Sequence, residues 1–131
     1  MECNDSNGNI VLSFKYSIND KDHSIDYLTK SKANNKKTIQ NLFKKFEELS
    51  NLKWKDFINK PKEIGYEAIA ISQFKIDLSN IKKELKLSND SKIIVFRFDN
   101  QKARLLGVKS KECSAILYII GYDWNYTAYK H

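Results

Sequence analysis

At 131 residues with 41% hydrophobic and 12% aromatic side chains, the chain has the size and apolar content of one folded domain, which excludes bulk disorder. No stretch approaches the roughly 18 to 20 consecutive apolar residues of a transmembrane helix, and the acidic, polar start differs from a secretory signal. We therefore expect a cytoplasmic protein without a membrane partner.

The net charge of +7 is unevenly distributed along the chain. Residues 30–62 carry +7 and residues 92–131 carry +4, whereas residues 1–29 carry −3 and residues 63–91 carry −1. Two basic blocks that face one another would attract a polyanion such as RNA. The alternative is an ordinary lysine-rich, solvated surface.

The sequence contains no metal-binding or cofactor motif. The histidines, His23 and His131, and the cysteines, Cys3 and Cys113, are scattered rather than clustered at ligand spacing. The four glycines are isolated and form no phosphate-binding loop. We predict no metal and no cofactor. We also predict reduced thiols, with a Cys3–Cys113 disulfide as the open alternative.

The N-terminal region predicts one or two strands. Residues 1–9 are polar and predict a disordered lead-in. Apolar and polar residues alternate over 10–17, which predicts a half-buried strand. Residues 23–29 predict a second, weaker strand, with His23 solvated near the preceding turn.

Helices are predicted for the next third of the chain. Apolar residues recur at steps of three and four over 39–52, which is typical of an amphipathic helix, and Asn34 or Asn35 can cap its start. Residues 52–59 predict a short second helix. Pro61 ends it, because proline cannot continue the helical hydrogen bonding.

The remaining chain predicts a sheet. Residues 66–74 fit either a strand or a buried helix, and a third helix is expected from Asp77 or Ser79 to Leu87. Three runs rich in β-branched and aromatic residues follow, at 92–99, 103–109 and 115–122. Their short links favour sequential antiparallel pairing.

The last run is apolar on both faces, which predicts a central or doubly covered strand. Tyr118 and Tyr122 are expected on one face of it, in the core. The predicted fold class is therefore α+β, with one or two N-terminal strands and two to three helices packed on a C-terminal antiparallel meander. Residues 10–131 are predicted to form one domain.

Most of the candidate functional residues lie in and after the meander. Segment 123–131 combines aromatic rings, a lysine and a terminal imidazole; aromatic rings stack on unpaired bases, and cations hold phosphates. Arg97 and Arg104 are expected to project from the strands, and arginine can hold a phosphate through two hydrogen bonds. The candidate nucleic-acid contacts are Lys44, Lys45, Lys53, Lys55, Lys102, Trp124, Tyr126 and Lys130.

These residues also have purely structural interpretations. Trp124 and Tyr126 can simply pack at the end of a sheet. Arg97 can be a surface charge on a strand, and Arg104 can form a buried ion pair with an acid such as Asp123. The proposed activity requires that the lysine-bearing helices and the C-terminal segment lie on a common side of the molecule.

Two further residues have roles that the sequence suggests. His131 can take part in proton transfer or can be a frayed terminus. Trp54 is expected to pin the short second helix to the core, with Lys53 and Lys55 exposed on either side.

The order of elements resembles that of the RelE/ParE-like toxin superfamily: a strand, two helices with a tryptophan in the second, and a three-stranded meander that closes in an aromatic and basic tail. The resemblance covers residues 10–60 and 92–131. It rests on the element order, on RLLG (104–107) and ILYIIGYD (116–123), and on the terminal residues 129–131. In that family, toxins of the RelE branch cut mRNA on the ribosome, ParE relatives poison gyrase, and an antitoxin binds each toxin.

The resemblance implies attack of a ribose 2′-hydroxyl on the adjacent phosphate, without a metal. Arg97 and Arg104 would stabilise the charge that develops on the phosphoryl oxygens. Tyr129, His131 or Lys130 would transfer the protons. Ribosomal RNA would be held by the lysines of the short helix, Lys53 and Lys55.

The chain is longer than compact RelE-like toxins, because it adds a second N-terminal strand and the segment 63–91. An alternative function is a non-enzymatic protein of a phage or other mobile element that binds and inhibits a host defence nuclease or another nucleic-acid-binding protein. A third possibility is a weakly basic structural protein with no nucleic-acid partner, which would bind neither RNA nor DNA even at low salt.

Overall fold

The structure, a computed structural model, describes residues 8–30 and 35–129. In these two ranges the strands are β1 (Val11–Ser13), β2 (Glu67–Ala70), β3 (Lys92–Phe98), β4 (Ala103–Lys109) and β5 (Ile116–Asp123). The α-helices are α1 (Tyr27–Lys30), α2 (Lys36–Ser50) and α3 (Ser79–Leu85), and 3-10 helices occupy Lys21–His23, Trp54–Phe57 and Ile71–Gln73. The predicted α+β class is confirmed.

The strands form one mixed sheet in the order β1-β5-β4-β3-β2. The pairs β2–β3, β3–β4 and β4–β5 are antiparallel, which confirms the predicted meander. In contrast, β1 pairs with β5 in parallel and is shorter than the predicted strand over 10–17. Because β5 lies between β1 and β4 and packs against residues on both faces, its prediction as a doubly covered strand is confirmed.

The predicted second strand over 23–29 is wrong, since α1 occupies its C-terminal part. Ser24 and Asp26 explain the difference: the backbone N–H of Asp26 donates to the Ser24 Oγ at 3.3 Å. Such local bonds between side chain and backbone favour turns over a strand ladder. The ambiguous segment 66–74 forms β2 followed by a 3-10 helix.

The predicted helices are found with shorter bounds. Helix α2 has Asn35 as its N-cap residue, while the other candidate cap, Asn34, lies outside the described residues, as does most of the predicted lead-in. The second predicted helix is a 3-10 turn whose start is held by a hydrogen bond from the Lys53 backbone N–H to Asp56 Oδ2, at 2.7 Å. Helix α3 confirms the third prediction.

Two apolar cores cover the two faces of the sheet. On the first face, α2 and the 3-10 helix with Trp54 pack against a core that includes Leu42, Leu49, Phe57, Phe96, Leu105 and Leu117. On the second face, α3 and the C-terminal segment pack against a core that includes Ile69, Ile81, Val95, Leu106, Ile120 and Tyr129. The sheet therefore separates α2, which carries four lysines, from α3 and the C-terminal segment.

A β-bulge interrupts the pairing of β4 with β5. Leu106 pairs with Gly121, but the next residue, Gly107, pairs with Ile119. Ile120 is thus an extra residue on β5, and such an insertion shifts every following side chain of the strand to the opposite face.

The bulge determines which side chains at the end of β5 lie on the same face of the sheet as the arginines. Tyr118 packs on the second face and Tyr122 on the first, so the prediction that they share a face is wrong. Asp123 pairs with Arg104 across the ladder, on the second face, whereas Trp124 packs into the first.

Cys113 is disulfide-bonded, and the described residues contain no free cysteine. The prediction of reduced thiols is therefore wrong. Cys3, the other cysteine of the sequence, lies outside the described residues. Among the described helices, none has the length and apolar character needed to cross a membrane.

Candidate functional site

Arg97 and Arg104 are the only arginines among the 23 basic residues of the chain, and they are direct partners in the β3–β4 ladder. Directly opposite residues of an antiparallel pair project from the same face. Here that face is the second one. Arg97 follows Ile93 and Val95 at two-residue steps along β3, and both of these residues belong to the core of the second face. We call Arg97, Arg104, Tyr126 and Tyr129 the arginine cluster.

Arg104 is completely buried, at 0% exposure, so the prediction that it projects from the sheet is wrong. Its Nη1 donates to the carbonyl oxygens of Gln101, at 2.7 Å, and of Ala103, at 3.2 Å. The ring of Tyr126 covers the guanidinium, with its centroid 3.8 Å from Cζ. Nε and Nη2 of Arg104 have no hydrogen-bond partner in the described part of the chain.

The buried acid next to Arg104 bonds mainly to the loop that follows it. The carboxylate of Asp123 accepts the backbone N–H of Thr127 at 2.7 Å and that of Ala128 at 3.1 Å. Asp123 thereby fixes the path of the chain toward Tyr129, while its negative charge stays on the face where Arg104 is buried.

Arg97 is also largely covered, with 13% of its side chain exposed. Its Nη2 lies 3.5 Å from Glu67 Oε1, and its Nη1 lies 3.9 Å from Glu63 Oε1 and 3.2 Å from Gln101 Oε1. Two acids therefore offset its charge. Nε of Arg97 is buried and has no hydrogen-bond partner within the described ranges.

Tyr129 is buried against Phe74, with which it forms an isolated bridge and a ring contact at 5.2 Å. Burial raises the pKa of Tyr129, and the guanidinium of Arg104 opposes part of that rise. Since the phenol stays protonated at neutral pH, Tyr129 is able to donate a proton but not to act as a base.

A cavity of about 450 Å³ opens beside these residues. Its polar lining consists of Lys62, Glu67, Gln73, Arg97, Tyr126 and Tyr129. The structure thus brings together Arg97, Tyr126 and Tyr129 from the predicted site, with Arg104 behind the ring of Tyr126. Lys130 and His131 lie outside the described residues.

His23 is buried, so the prediction that its side chain is solvated is wrong. Its Nδ1 lies 2.9 Å from Asp20 Oδ2, its Nε2 lies 2.7 Å from Thr127 Oγ1, and Asp123 Oδ1 is 3.9 Å from Nε2. The imidazole ties the N-terminal 3-10 helix to the C-terminal loop. No spacing in the sequence could indicate a contact across 104 positions.

The predicted lysine contacts are separated from the arginine cluster. Lys44 and Lys45 lie on α2, and Lys53 and Lys55 flank Trp54; both elements pack on the first face, not on the second. The common side assumed for these groups is not found. Lys45 also pairs with Glu48 at 3.2 Å, whereas Lys102 is exposed in the β3–β4 turn.

Both tryptophans serve packing. Trp124 is buried, donates Nε1–H to the Ser24 carbonyl at 3.0 Å and stacks on Tyr122 with 5.0 Å between ring centroids, so its faces are closed to a base. Trp54 donates Nε1–H to the Ser114 carbonyl at 2.6 Å and joins the first core, which confirms that it pins the short helix.

A second candidate site is an apolar groove on the first face, which sequence reasoning missed. It is a cavity of about 1010 Å³ between β1, α1 and α2, and we call it the apolar groove. Its walls include Ile10, Val11, Leu12, Phe14, Ile25, Leu28, Ile39, Leu42, Phe43, Phe46 and Tyr122. Phe14, Ile25 and Phe43 are 56%, 52% and 60% exposed.

One signal for the groove was present in the sequence. The stripe of α2 includes both Leu42 and Phe43, which are adjacent and therefore about 100° apart around the helix. Only Leu42 is buried, so the stripe is wider than the surface it covers. Tyr122 lies at the base of the groove, and burial raises the pKa of Tyr122 to about 12.

No three His, Cys, Asp or Glu side chains of the described ranges are grouped so as to hold a metal ion. Comparisons with protein-family models, curated proteins and solved structures find no match to this chain.

Proposed function

We propose that this protein is a non-enzymatic binding protein that holds an apolar segment of a partner protein in its groove. The observation that carries the proposal is the exposure of Phe14, Ile25 and Phe43 around one continuous apolar cavity. Large contiguous apolar patches on a protein surface mark sites of interaction, because leaving them in water costs free energy. Exposed aromatic side chains of this kind are the usual anchors of protein interfaces.

The charge around the groove limits the kind of partner segment that can bind there. Helix α2, one wall of the groove, carries Lys36, Lys37, Lys44 and Lys45 against Glu47 and Glu48, a balance of +2. Among the described residues that line the groove itself, the only charged one is Asp26, next to α1. A partner segment with apolar anchors and acidic flanks would complement this wall. Such a partner fits the alternative drawn from the sequence, an acidic or nucleic-acid-binding host protein such as a defence nuclease.

Burial of the arginine cluster supports binding over catalysis. A group that transfers a proton or stabilises a transition state must reach the reacting atoms. Arg104 and Tyr129 are covered, and Arg97 is held by Glu63 and Glu67. Closed in this way, the two predicted catalytic arginines do not reach a reacting atom, which favours a role in binding over a role in catalysis.

The test compares groove variants with a matched control. Phe43→Asp and Phe14→Asp place a charge in the groove, while Ile58→Asp changes a side chain that is 68% exposed and does not line it. A photo-crosslinking residue at position 43 in the native host should label one partner in stoichiometric amount. Both groove variants should lower its affinity at least 30-fold, and Ile58→Asp should leave it within threefold. Equal binding by all four proteins would remove the groove from the function.

A RelE-like ribonuclease is the second candidate, and one observation favours it: Arg97, Tyr126 and Tyr129 line the same cavity. This candidate predicts growth arrest on expression in bacteria, ribosome-dependent cleavage of mRNA, and relief by Arg97→Ala or by a cognate antitoxin. A harmless wild type that leaves ribosome-bound mRNA intact would contradict it. Growth arrest unchanged by Phe43→Asp but lost in Arg97→Ala would favour it over the groove.

The cytoplasmic location expected from the sequence is also part of the proposal. Disulfides are rare in reducing cytoplasm, and Cys113 is disulfide-bonded. Rapid alkylation of the protein in its host, followed by mass measurement, distinguishes a cytoplasmic protein from one in an oxidising compartment. A free thiol at Cys113 supports the cytoplasm, and a blocked one supports an oxidising compartment.

A further inference from the structure

The arginine cluster contains unmet hydrogen-bonding capacity, independent of the groove on the opposite face. Arginine stays charged in proteins, so its five N–H donors need partners wherever it is buried. Arg104 is fully buried, yet its Nε and Nη2 are unpaired in the described structure, as is the buried Nε of Arg97. Unpaired donors of buried charged groups are costly, and each such group in a native protein calls for an explanation.

The three sides of the Arg104 guanidinium are used differently. Its end, Nη1, is taken by the carbonyls of Gln101 and Ala103, and its flat face is covered by Tyr126. Within the described ranges, its long edge, formed by Nε and Nη2, has no hydrogen-bond partner of standard geometry, and the guanidinium also interacts with the hydroxyl of Tyr129. Two parallel N–H groups on such an edge match two oxygens of a phosphate or carboxylate.

We infer that Arg104 and Arg97 form a binding site for a phosphate group. Two oxygens of the phosphate accept from the Arg104 edge, and another accepts from Arg97 Nε, the donor left over when Glu67 and Gln101 hold the other end of Arg97. The use of arginine supports this assignment, because 21 of the 23 basic residues are lysines and the two arginines face one another.

Tyr126 is the gate to this site. It lines both the cavity of about 450 Å³ beside Arg97 and a cavity of about 580 Å³ beside Lys102, so movement of its ring joins the two and uncovers Arg104. The residue is 39% exposed and has a φ of 66°, a left-handed backbone that side chains other than glycine rarely adopt.

The surroundings favour phosphate over carboxylate. Lys62 lines the smaller cavity and Lys102 the larger, which adds two cations to the two arginines. Glu67 lines the smaller cavity and Asp99 the larger, so these acids offset the two lysines. The assignment to phosphate rests on the three N–H donors of the two arginines, which match three phosphate oxygens, whereas a carboxylate has only two oxygens. The cavity volumes suit a ligand up to the size of a mononucleotide.

The experiment observes the arginines directly. With only two arginines in the chain, a ¹⁵N-labelled sample has two Nε–H resonances, and Arg97→Lys assigns them. Titration of the wild type with inorganic phosphate, against sodium chloride at equal ionic strength, should shift both resonances with saturation. No shift beyond the chloride control, or a shift that never saturates, would overturn the site.

Parallel titrations identify the ligand class. Tighter binding of a nucleoside monophosphate than of inorganic phosphate identifies an esterified phosphate, and equal affinity identifies free phosphate; both support the site. Saturation with acetate but not with phosphate would overturn the assignment to phosphate.

Variants test the geometry. Arg104→Lys lacks a two-donor edge and should weaken phosphate binding at least tenfold, whereas Lys55→Gln, on the other face, should not change it. Tyr126→Gly removes the gate and suits the left-handed backbone, so it should tighten binding at least threefold. An unchanged or weaker affinity of Tyr126→Gly would refute the gate. If Arg104→Lys does not fold, the wild-type titration still decides the proposal.

Discussion

The apolar groove and the arginine cluster lie on opposite faces of one sheet and are incomplete in opposite ways. The groove is open and leaves apolar area in water, with Phe43 60% exposed. The cluster is closed, and in the part of the chain that the structure describes it leaves charged N–H donors of Arg104 without hydrogen-bond partners. Exposing a hydrophobic surface to water lowers the stability of the folded protein, and so does burying a polar group without a hydrogen-bond partner. Each region thus indicates the chemistry of what completes it: an apolar segment for the first and an oxyanion for the second.

The two faces also explain why the charge distribution along the sequence gave a wrong prediction of where the basic residues lie. The basic block over 30–62 and the arginines were expected on one side, but α2 and Arg104 are on opposite faces. A net charge predicts attraction between a protein and a polyanion, but it does not tell which face of the sheet carries the charge.

The largest expected effect is on the stability of the folded protein and concerns Asp123, beside the arginine cluster. Asp123→Ala removes the acceptor of two backbone N–H groups, from Thr127 and Ala128. We expect a loss of about 3 kcal/mol in the free energy of unfolding, because both donors are left unsatisfied. Urea denaturation measures it, and Asp90→Ala, an exposed turn residue, should change the value by less than about 0.5 kcal/mol. A loss under about 1 kcal/mol would show that Asp123 does not anchor the loop.

A smaller loss is expected at the bulge that brings Asp123 to the cluster. A Cβ at Gly121 would lie 2.6 Å from Ile18 Cδ1 and 2.8 Å from the carbonyl oxygen of His23. Gly121→Ala should therefore lower the free energy of unfolding by about 1 to 3 kcal/mol, since the backbone of His23 must move. Gly8→Ala is the matched control, because a Cβ at Gly8 would meet no atom of the described residues within 4 Å. Equal stability of the two variants would contradict the packing at the bulge.

On the groove side, the third prediction concerns alkaline pH. Burial raises the pKa of Tyr122 from 10.0 to about 12, so the folded state holds its proton more tightly than the unfolded chain does. The resulting stability is complete below pH 10 and is lost as the pH rises toward 12. Tyr122→Phe should lack this loss, on the order of 2 kcal/mol, in urea denaturation at pH 9 and pH 12. Parallel pH curves of the two proteins would place Tyr122 in water.

The smallest stability effect is expected at the rim of the groove. Phe43 is largely exposed, so Phe43→Asp should change the free energy of unfolding by less than about 0.5 kcal/mol. Fluorescence of a dye that binds apolar surfaces should fall in Phe43→Asp but not in Ile58→Asp. A large loss of stability would show that Phe43 is part of the core rather than of a binding surface.

Much of the fold could be predicted because its signals are local and strong. The three runs of the meander are long and β-branched, and their links are short, so pairing follows from chain order alone. The segment 23–29 failed for the converse reason: its apolar residues are few, and Ser24 and Asp26 bond locally. For the site, the nearness of Arg97 and Arg104 follows from the same hairpin, but their burial does not.

By itself, the sequence determined the α+β class, the antiparallel meander and the amphipathic character of α2, since periodicity and turn residues act over a few positions. Only the tertiary structure decided the parallel docking of β1, the bulge at Ile120, and the faces on which Asp123 and Trp124 lie. The physical reason is the two-residue period of a strand: one inserted residue reverses the faces of all that follow. Beside that insertion, Ile18 packs against Gly121, a contact between residues 103 positions apart in the chain.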